Sequence, residues 1–487
     1  MTRQRRTDQE TAARMMADIE PAYTDQQAQV EADRCLYCFD APCIMACPTG
    51  IDIPAFIKKI AVQNNRGAAR TILSSNILGA SCARVCPTTV LCEGACVLQD
   101  RDQKPIKIGR LQRYATDAVA GKEASLLEKP AAATGKKVAV IGGGPAGLGC
   151  AAEMARLGHA VTIFERRPEA GGLNTYGIAY YKLTPEVSLD EVEVVKSLGV
   201  EIRCGVEVGV DLPMADLQKD YDAVFLGVGL GHTYTLGIPG EDLPEVMEAL
   251  AFIEEIHTQP LHEVAVGEHV VVIGCGNTAI DAVTQAKRLG ATSATIVYRR
   301  GEKDMPAYAY EYEIAKADGC GFVFHAAPVE VLGESSVTGL KVIRTEPDAE
   351  GRARPVPGSE SVIPCDMVIK ALGQEKQVQM LQTLLPDLAL DAKGRVVRDE
   401  KTGQTSVPGV FAGGDAANGG REVVNAVAEG KKAARGIHAA LCGDAVEGPV
   451  QHTRVGVPGS KPVGSGLDRP VRVPEAEAEY YAAKGER

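Results

Sequence analysis

Lys137-Val-Ala-Val-Ile-Gly-Gly-Gly-Pro-Ala-Gly147 runs an apolar strand straight into a glycine turn that opens a helix. Read as G-x-G-x-x-G, Gly142 permits the tight turn and Gly144 lets the backbone approach a pyrophosphate. Gly147 lets helix and strand pack closely, while Pro145 and Ala146 stand in the helix's first turn, whose amides and positive end favour an anion. Glu165 closes the next strand, where a carboxylate can accept bonds from ribose hydroxyls. Strand, turn, helix, strand and acid in that order separate the stretch from an ordinary glycine-rich turn.

The chain repeats this plan about 130 residues later, as Val270-Val-Val-Ile-Gly-Cys-Gly-Asn-Thr-Ala279. Both helices end at Leu-Gly (Leu157-Gly158 and Leu289-Gly290) and lead into second strands at 160–164 and 295–298. Two nucleotide units in one chain are the plan of a flavoprotein with one flavin and one nicotinamide site. In the second unit Gly274, Gly276, Asn277 and Thr278 form the turn, and Ala279 is a tolerated third position. Its second strand ends in Tyr298-Arg299-Arg300 rather than an acid. Guanidinium groups bind a 2′-phosphate bidentately, so NADPH is expected ahead of NADH. The competing reading is a solvated strand end.

Two further stretches, Asp222-Ala-Val-Phe-Leu-Gly-Val-Gly229 and Asp366-Met-Val-Ile-Lys-Ala-Leu-Gly373, read as buried strands ending in small residues near both cofactors. Gly409-Val-Phe-Ala-Gly-Gly-Asp415 places Gly414 and Asp415 to meet a flavin's ribityl hydroxyls. A helix from about Glu422, with Val423 at its start, aims its N-terminus at the flavin.

Of the 487 residues 45% are hydrophobic and 24% charged, which is ordinary for buried cores, and the length suits two to four domains. A net charge of -12 argues against nucleic-acid binding and against a polybasic membrane surface. No apolar run nears the roughly 18 residues of a membrane span, and the start MTRQRRTDQE has no signal-type apolar segment. A cytoplasmic location is expected.

Eight of the 14 cysteines crowd into residues 35–96; the other six are scattered singly. They read Cys35-x2-Cys38-x4-Cys43-x3-Cys47-Pro48 and Cys82-x3-Cys86-Pro87-x5-Cys92-x3-Cys96. Reduced cytosolic thiols at this density point to metal ligation rather than disulfides. Eight thiolates with Cys-Pro punctuation fit two [4Fe–4S] clusters, where the last cysteine of a run often serves the other cluster. Zinc is the rival, yet only Cys35 and Cys38 have the paired spacing that structural zinc prefers.

The expected fold class is α/β, with two Rossmann-like domains for FAD and NAD(P), the second inserted in the first, behind an α-helical iron–sulfur domain. The expected boundaries are 1–120 for the cluster domain and 137–250 plus 365–442 for the FAD domain. The NAD(P)H domain takes 251–364, and an extended tail 443–487 lies on another surface. Short helices are expected at 54–63 and 68–73.

Residues 35–116 resemble the N-terminal region of the dihydropyrimidine dehydrogenase family, through Ala41-Pro-Cys43, Cys47-Pro-Thr49, Asp52-Ile53, Cys86-Pro-Thr88, Leu91-Cys-Glu-Gly-Ala-Cys96, Pro105-Ile106 and Leu111-Gln112. The two nucleotide units are similar to that family's FAD and NADPH domains and to the glutamate synthase small subunit, over roughly 30–440. The long enzymes of the family continue into an FMN-containing barrel with two more clusters, which this sequence lacks. The resemblance therefore implies the electron-input subunit of the split bacterial form. That form pairs in a heterotetramer with an FMN- and iron–sulfur-containing catalytic subunit that reduces uracil or thymine.

The family's pattern implies crossed ligation: Cys35, Cys38, Cys43 and Cys96 on one cluster, and Cys47, Cys86, Cys92 and Gln112 on the other, with Cys82 beside them. Glutamate synthase relatives carry Glu at the position of Gln112, and a neutral ligand there changes the cluster's charge and potential. Without the resemblance, Gln112 reads as an exposed helix residue. It further implies flavin contacts at Gly172, Leu173, Lys182 and the backbone of Val208, and nicotinamide contacts at Ala371, Leu372 and Gly373. One departure stands out: relatives carry Phe-Arg-Leu-Pro where this chain has Tyr181-Lys-Leu-Thr184, and lysine lacks the planar fork.

No side chain reads as a general acid or base, and the eight histidines form no metal-spaced or triad-like group. Three functions fit this pattern to differing degrees. The first is the pyrimidine-linked electron-input subunit. The second is the same module feeding a glutamate synthase large subunit or a ferredoxin. The third is a cluster-bearing scaffold or sensor with dead nucleotide sites, against which the intact glycines, Glu165 and Asp415 argue.

Overall fold

Thirteen strands and their connecting helices build two parallel sheets and one antiparallel sheet among the residues described by the computed structural model, 3–101 and 103–443. The proposed tail, from 444 onward, lies outside the described residues. The described residues divide into two units, one comprising those up to 21 with 131–437 and the other those of 22–130 with 438–443.

In the larger unit, β1 (Lys137–Ile141) pairs in parallel with β2 (Ala160–Glu165) on one side and β4 (Ala223–Leu226) on the other. Strand β3 (Glu201–Cys204) extends the first side and β13 (Val410–Ala412) the second. The order β13-β4-β1-β2-β3 puts the topological switch at β1/β4, where open α/β sheets bind ligands beyond the strands' carboxyl ends. Strand β1 is buried at four of its five positions, as a sheet covered on both faces requires.

The second sheet repeats this order as β5-β12-β6-β7-β8, with β6 (His269–Ile273), β7 (Ser293–Tyr298) and β8 (Gly321–Phe324). Its other side is β12 (Met367–Lys370) and then β5 (Val246–Glu248). Boundaries at 251 and 364 leave out two strands of this sheet, because β12 pairs in register with β6 and β5 pairs with β12. Strands β9 (Ala326–Leu332), β10 (Gly339–Pro347) and β11 (Ala353–Pro364) form an antiparallel sheet within the same insertion.

The first residues also depart from expectation. Instead of joining the cysteine segment, residues 3–8 lie along the second sheet's lobe, with Gln4 and Val266 exchanging backbone bonds of 3.0 and 2.9 Å. Arg3 Nη2 donates to the Ala265 carbonyl at 2.9 Å, and its guanidinium pairs with Glu255.

The smaller unit is helical: Asp25–Asp33, Pro42–Ala46, Ile53–Ala61, Asn65–Ser75, Gly79–Val85 and Ile108–Asp117. The helices expected at 54–63 and 68–73 are the third and fourth of these. Asp52 and Asn64 cap them by accepting from the Ala55 and Gly67 amides. Phe56, Ile57, Ile72 and Leu111 are fully buried between them, each contributing about 1.5–3 kcal/mol. The partly buried Cys35, Cys38, Cys43, Cys47, Cys92 and Cys96 pack on the same core.

Candidate functional site

Three segments converge at the carboxyl end of the first sheet. A side chain on Gly147 would put its Cβ 2.0 Å from the Gly142 carbonyl oxygen, so the third glycine is demanded by the turn itself. Gly142 adopts a left-handed φ of 98° with the Gly227 carbonyl against it. Gly172 brings its backbone against Gly144, where a Cβ would meet the Gly144 Cα at 2.8 Å, and opens the helix Leu173–Tyr176. Gly414 stands equally close to Ala146. Among the described residues, only Gly172 would come within 4 Å of a Cβ on Gly144, and no side chain caps the helix Pro145–Arg156 that starts there. An open cradle at an uncapped helix N-terminus fits a pyrophosphate.

Glu165 is buried with its carboxylate turned back to the turn, accepting from Gly143 N at 2.7 Å and Arg167 N at 2.8 Å. A carboxylate offers about four lone pairs, so two remain for ribose hydroxyls. Asp415 accepts from the Arg421 amide at 3.1 Å. Burial, with Glu429 and Glu422 nearby, raises its pKa against the Arg421 bond. Glu429, on the helix Val423–Cys442, fixes the Gly414 loop by accepting from Gly414 N at 2.8 Å and Asn418 Nδ2 at 3.1 Å. That helix crosses Pro145–Arg156 through Gly430 and Gly149, where side chains would strike Ala146 O and Val427 O. Val208 lies in the core beneath β1 with Ala139, Ile141 and Leu226.

The second glycine turn is built alike. Gly274 (φ 123°) lies against the Ala371 carbonyl, and Gly276 has nothing within 4 Å of a built Cβ as it opens the uncapped helix Asn277–Arg288. Asn277 is spent on structure, accepting from Tyr308 N at 3.0 Å, while Thr278 is exposed. Leu372 packs beneath the second sheet and Gly373 turns the chain with φ 83°. Arg299 and Arg300 follow β7 and are exposed, and neither pairs with a carboxylate among the described residues. Their backbones are fixed by Thr345 Oγ1 on Arg299 O at 2.7 Å and His325 N on Arg300 O at 3.0 Å. The Arg300 side chain also hydrogen-bonds with that of Tyr298, at the end of β7.

In the helical unit the cysteines sort into two groups. Cys35, Cys38, Cys43 and Cys96 line one cavity, walled by apolar side chains such as Ile53, Ile57 and Ile106. Burial lifts the Cys35 thiol to about 11, with Cys38 and Cys96 adding repulsion, and Cys43 is pushed up by burial and then by Cys35, Cys92, Cys96 and Cys38. Thiols so crowded in a dry pocket ionise together only around a cation. The Cys86 thiol is pushed up by a hydrogen bond with Cys82 and by burial, with Cys82, Cys92 and Cys47 adding repulsion, so these four thiols lie near one another. An all-sulfur lining suits soft-metal clusters.

Gln112 is buried rather than exposed, and its Nε2 donates to the Gly79 carbonyl at 2.7 Å, in the first turn of the helix that carries Cys82. Lys182, expected at the flavin, has its ammonium taken up elsewhere, by Asp281 and Glu311. Sequence reasoning also missed Tyr308, Asp281, Glu311 and Glu422, whose partners lie about a hundred residues away and leave no local pattern.

Residues 12–124 match the family model "dihydropyrimidine dehydrogenase domain II, 4Fe-4S cluster", and residues 124–430 match "pyridine nucleotide-disulphide oxidoreductase". The glutamate synthase [NADPH] small chain of Halomonas elongata is 41% identical over 88% of this chain and 93% of its own length. The NAD-dependent dihydropyrimidine dehydrogenase subunit PreT of Salmonella typhimurium is 36% identical over 86% of this chain and 96% of its own. Mycobacterium tuberculosis FprA in complex with NADPH shares the fold, with a TM-score of 0.52 over 65% of this chain and 88% of its own at 20% identity. Among the described residues no helix is long and apolar enough to cross a membrane.

Proposed function

The chain belongs to the family of glutamate synthase small subunits and PreT-like proteins, NAD(P)H-dependent flavin and iron–sulfur oxidoreductases, and from that premise we propose that it is the electron-input subunit of a dihydropyrimidine dehydrogenase. Its partner is an FMN- and iron–sulfur-containing catalytic subunit, in a cytoplasmic heterotetramer. Together they convert uracil or thymine, NAD(P)H and a proton to the 5,6-dihydropyrimidine and NAD(P)+.

FAD supplies the chemistry that links a two-electron donor to one-electron carriers. This chain's residues do the placing. Gly142, Gly144, Gly147 and Glu165 hold the flavin nucleotide, and Gly172, Gly414 and Asp415 close over it. Gly274 and Gly276 hold the nicotinamide nucleotide, with Arg299 and Arg300 on its 2′-phosphate. Cys35, Cys38, Cys43 and Cys96 hold one [4Fe–4S] cluster, and Cys47, Cys86, Cys92 and Gln112 the other.

The observation that carries the pyrimidine reading is Gln112, a buried neutral amide whose Nε2 donates to the Gly79 carbonyl in the first turn of the helix that carries Cys82. Identity favours the second reading, since the glutamate synthase small chain matches at 41% and PreT at 36%. Reconstitution separates them. The chain is mixed anaerobically with an FMN-bearing dihydropyrimidine dehydrogenase subunit or with a glutamate synthase large subunit, and NADPH oxidation is followed. Oxidation that depends on uracil with the first partner is the expected result. Oxidation that depends on glutamine and 2-oxoglutarate with the second alone assigns the chain to glutamate synthase.

A further inference from the structure

The stretch 178–183 leaves the flavin lobe and is bound by the nicotinamide lobe at Ile178, Tyr180, Tyr181 and Lys182. The Ile178 carbonyl accepts from His257 Nε2 at 2.6 Å, and Tyr180 N donates to Gln285 Oε1 at 2.9 Å. At its centre the Lys182 ammonium sits 2.5 Å from Asp281 Oδ1 and 2.8 Å from Glu311 Oε2, with all three side chains at most 9% exposed. Asp281 lies on the helix that opens the second glycine turn, and Glu311 on the helix Ala309–Ala317. Tyr181 Oη donates to Asp281 Oδ1 at 3.4 Å and Tyr310 Oη to Glu311 Oε1 at 3.1 Å. The Arg288 guanidinium covers the Tyr181 ring at 4.2 Å.

A second tie joins the same lobes. Tyr308 Oη donates to Glu422 Oε1 at 2.6 Å, just ahead of the helix Val423–Cys442, while Tyr308 N holds Asn277. The rings of Tyr308 and Tyr310 stack 5.9 Å apart. Both ties therefore end on residues 308–311, which follow the Arg299-Arg300 strand end.

Burial opposes the charge on Lys182, but Asp281, Tyr181 and Glu311 outweigh it and hold the ammonium protonated. Without that ammonium, two buried carboxylates would face each other uncompensated. We propose that Lys182 is a positioning residue that clasps the nicotinamide lobe to the flavin lobe in the orientation hydride transfer requires. It is not a flavin ligand. Its Nζ is shared between two carboxylates of the other lobe, which suits a point charge where relatives use an arginine fork. The inference rests on the two nucleotide sites assigned above. Hydride passes only between rings held in a near-attack arrangement, and misplacement by about 1 Å costs on the order of 100-fold.

The test uses the full chain with its cofactors, in the variants K182M, K182R and the triple variant K182M/D281N/E311Q. Three quantities are read: FAD bound per chain, the Kd for NADPH, and the anaerobic rate of flavin bleaching at saturating NADPH. K182M should keep FAD and a Kd within about threefold of wild type while bleaching slows at least about 30-fold. K182R should stay within about threefold, and the triple variant, which has neither the clasp nor an uncompensated charge, should keep FAD and remain at least about 10-fold slower than wild type.

Unchanged bleaching in K182M overturns the proposal, as does loss of FAD from a folded triple variant, which would make Lys182 a flavin ligand. If K182M does not fold, the triple variant decides: it must fold, hold FAD and bleach at least about 10-fold slower than wild type, or the proposal fails. A wild-type flavin that neither NADPH nor NADH bleaches contradicts the nucleotide sites themselves, a separate failure.

Discussion

A chain carrying Cys43→Ser is expected to fall from about eight to about four iron atoms, with sulfide falling in step, since one of two four-iron clusters is lost. Cys43 sits on the five-residue helix Pro42–Ala46 and lines a cavity with Cys35, Cys38 and Cys96. Serine oxygen is too hard a donor to replace a thiolate on iron of this kind. The flavin and nicotinamide sites belong to the other unit, so NADPH-driven reduction of a dye should stay within about threefold. Delivery to the catalytic partner should fall by more than about 100-fold, because an electron path with a missing carrier has no short detour. Iron and sulfide analysis alongside the two assays checks this, and unchanged iron would remove Cys43 from the ligand set.

Replacing Arg299 and Arg300 together by alanine should raise the KM for NADPH roughly 50-fold and leave that for NADH within about threefold. Both guanidinium groups stand exposed at the end of β7 without a carboxylate partner among the described residues, so their removal exposes no buried charge. The effect should therefore fall on the 2′-phosphate alone. It should shrink as salt rises, as exposed charge contacts do. Steady-state kinetics with both nucleotides measures it. Equal changes for NADPH and NADH, or none, would return the pair to the role of a solvated strand end.

The parts of the site legible in the sequence are those fixed by local contact. Gly142 and Gly147 are forced by their own turn, since a Cβ on Gly147 would lie 2.0 Å from Gly142 O. The same logic made the second turn readable at Gly274, whose Cβ would meet Ala371 O at 2.2 Å. Arrangements set by distant partners were not readable. Strand β12 pairs with β6 and β5 across about a hundred residues or more of chain, a pairing that no local pattern announces. Residues 3–8 found the nicotinamide lobe through backbone bonds to Val266, which side-chain periodicity does not encode.

Lys182 shows the limit most plainly. Its resemblance to an arginine of relatives pointed to the flavin, while its two carboxylates, 99 residues away and farther, determine what it does. For the cysteines, spacing indicated clusters, but it did not say which thiol joins which. The packing of helices Ile53–Ala61 and Ile108–Asp117 brings Cys96 back to Cys35, Cys38 and Cys43. Gln112 was legible only by resemblance, because an amide on a helix has no signature of its own until burial shows which way it faces.

The most direct test is the cofactor content of the chain purified without oxygen: flavin by absorbance after release, and iron, zinc and sulfide by chemical analysis. One FAD with about eight iron and about eight sulfide per chain is the predicted result. Zinc in place of iron, or a folded chain with no flavin, would contradict it and leave no route for electrons through this protein.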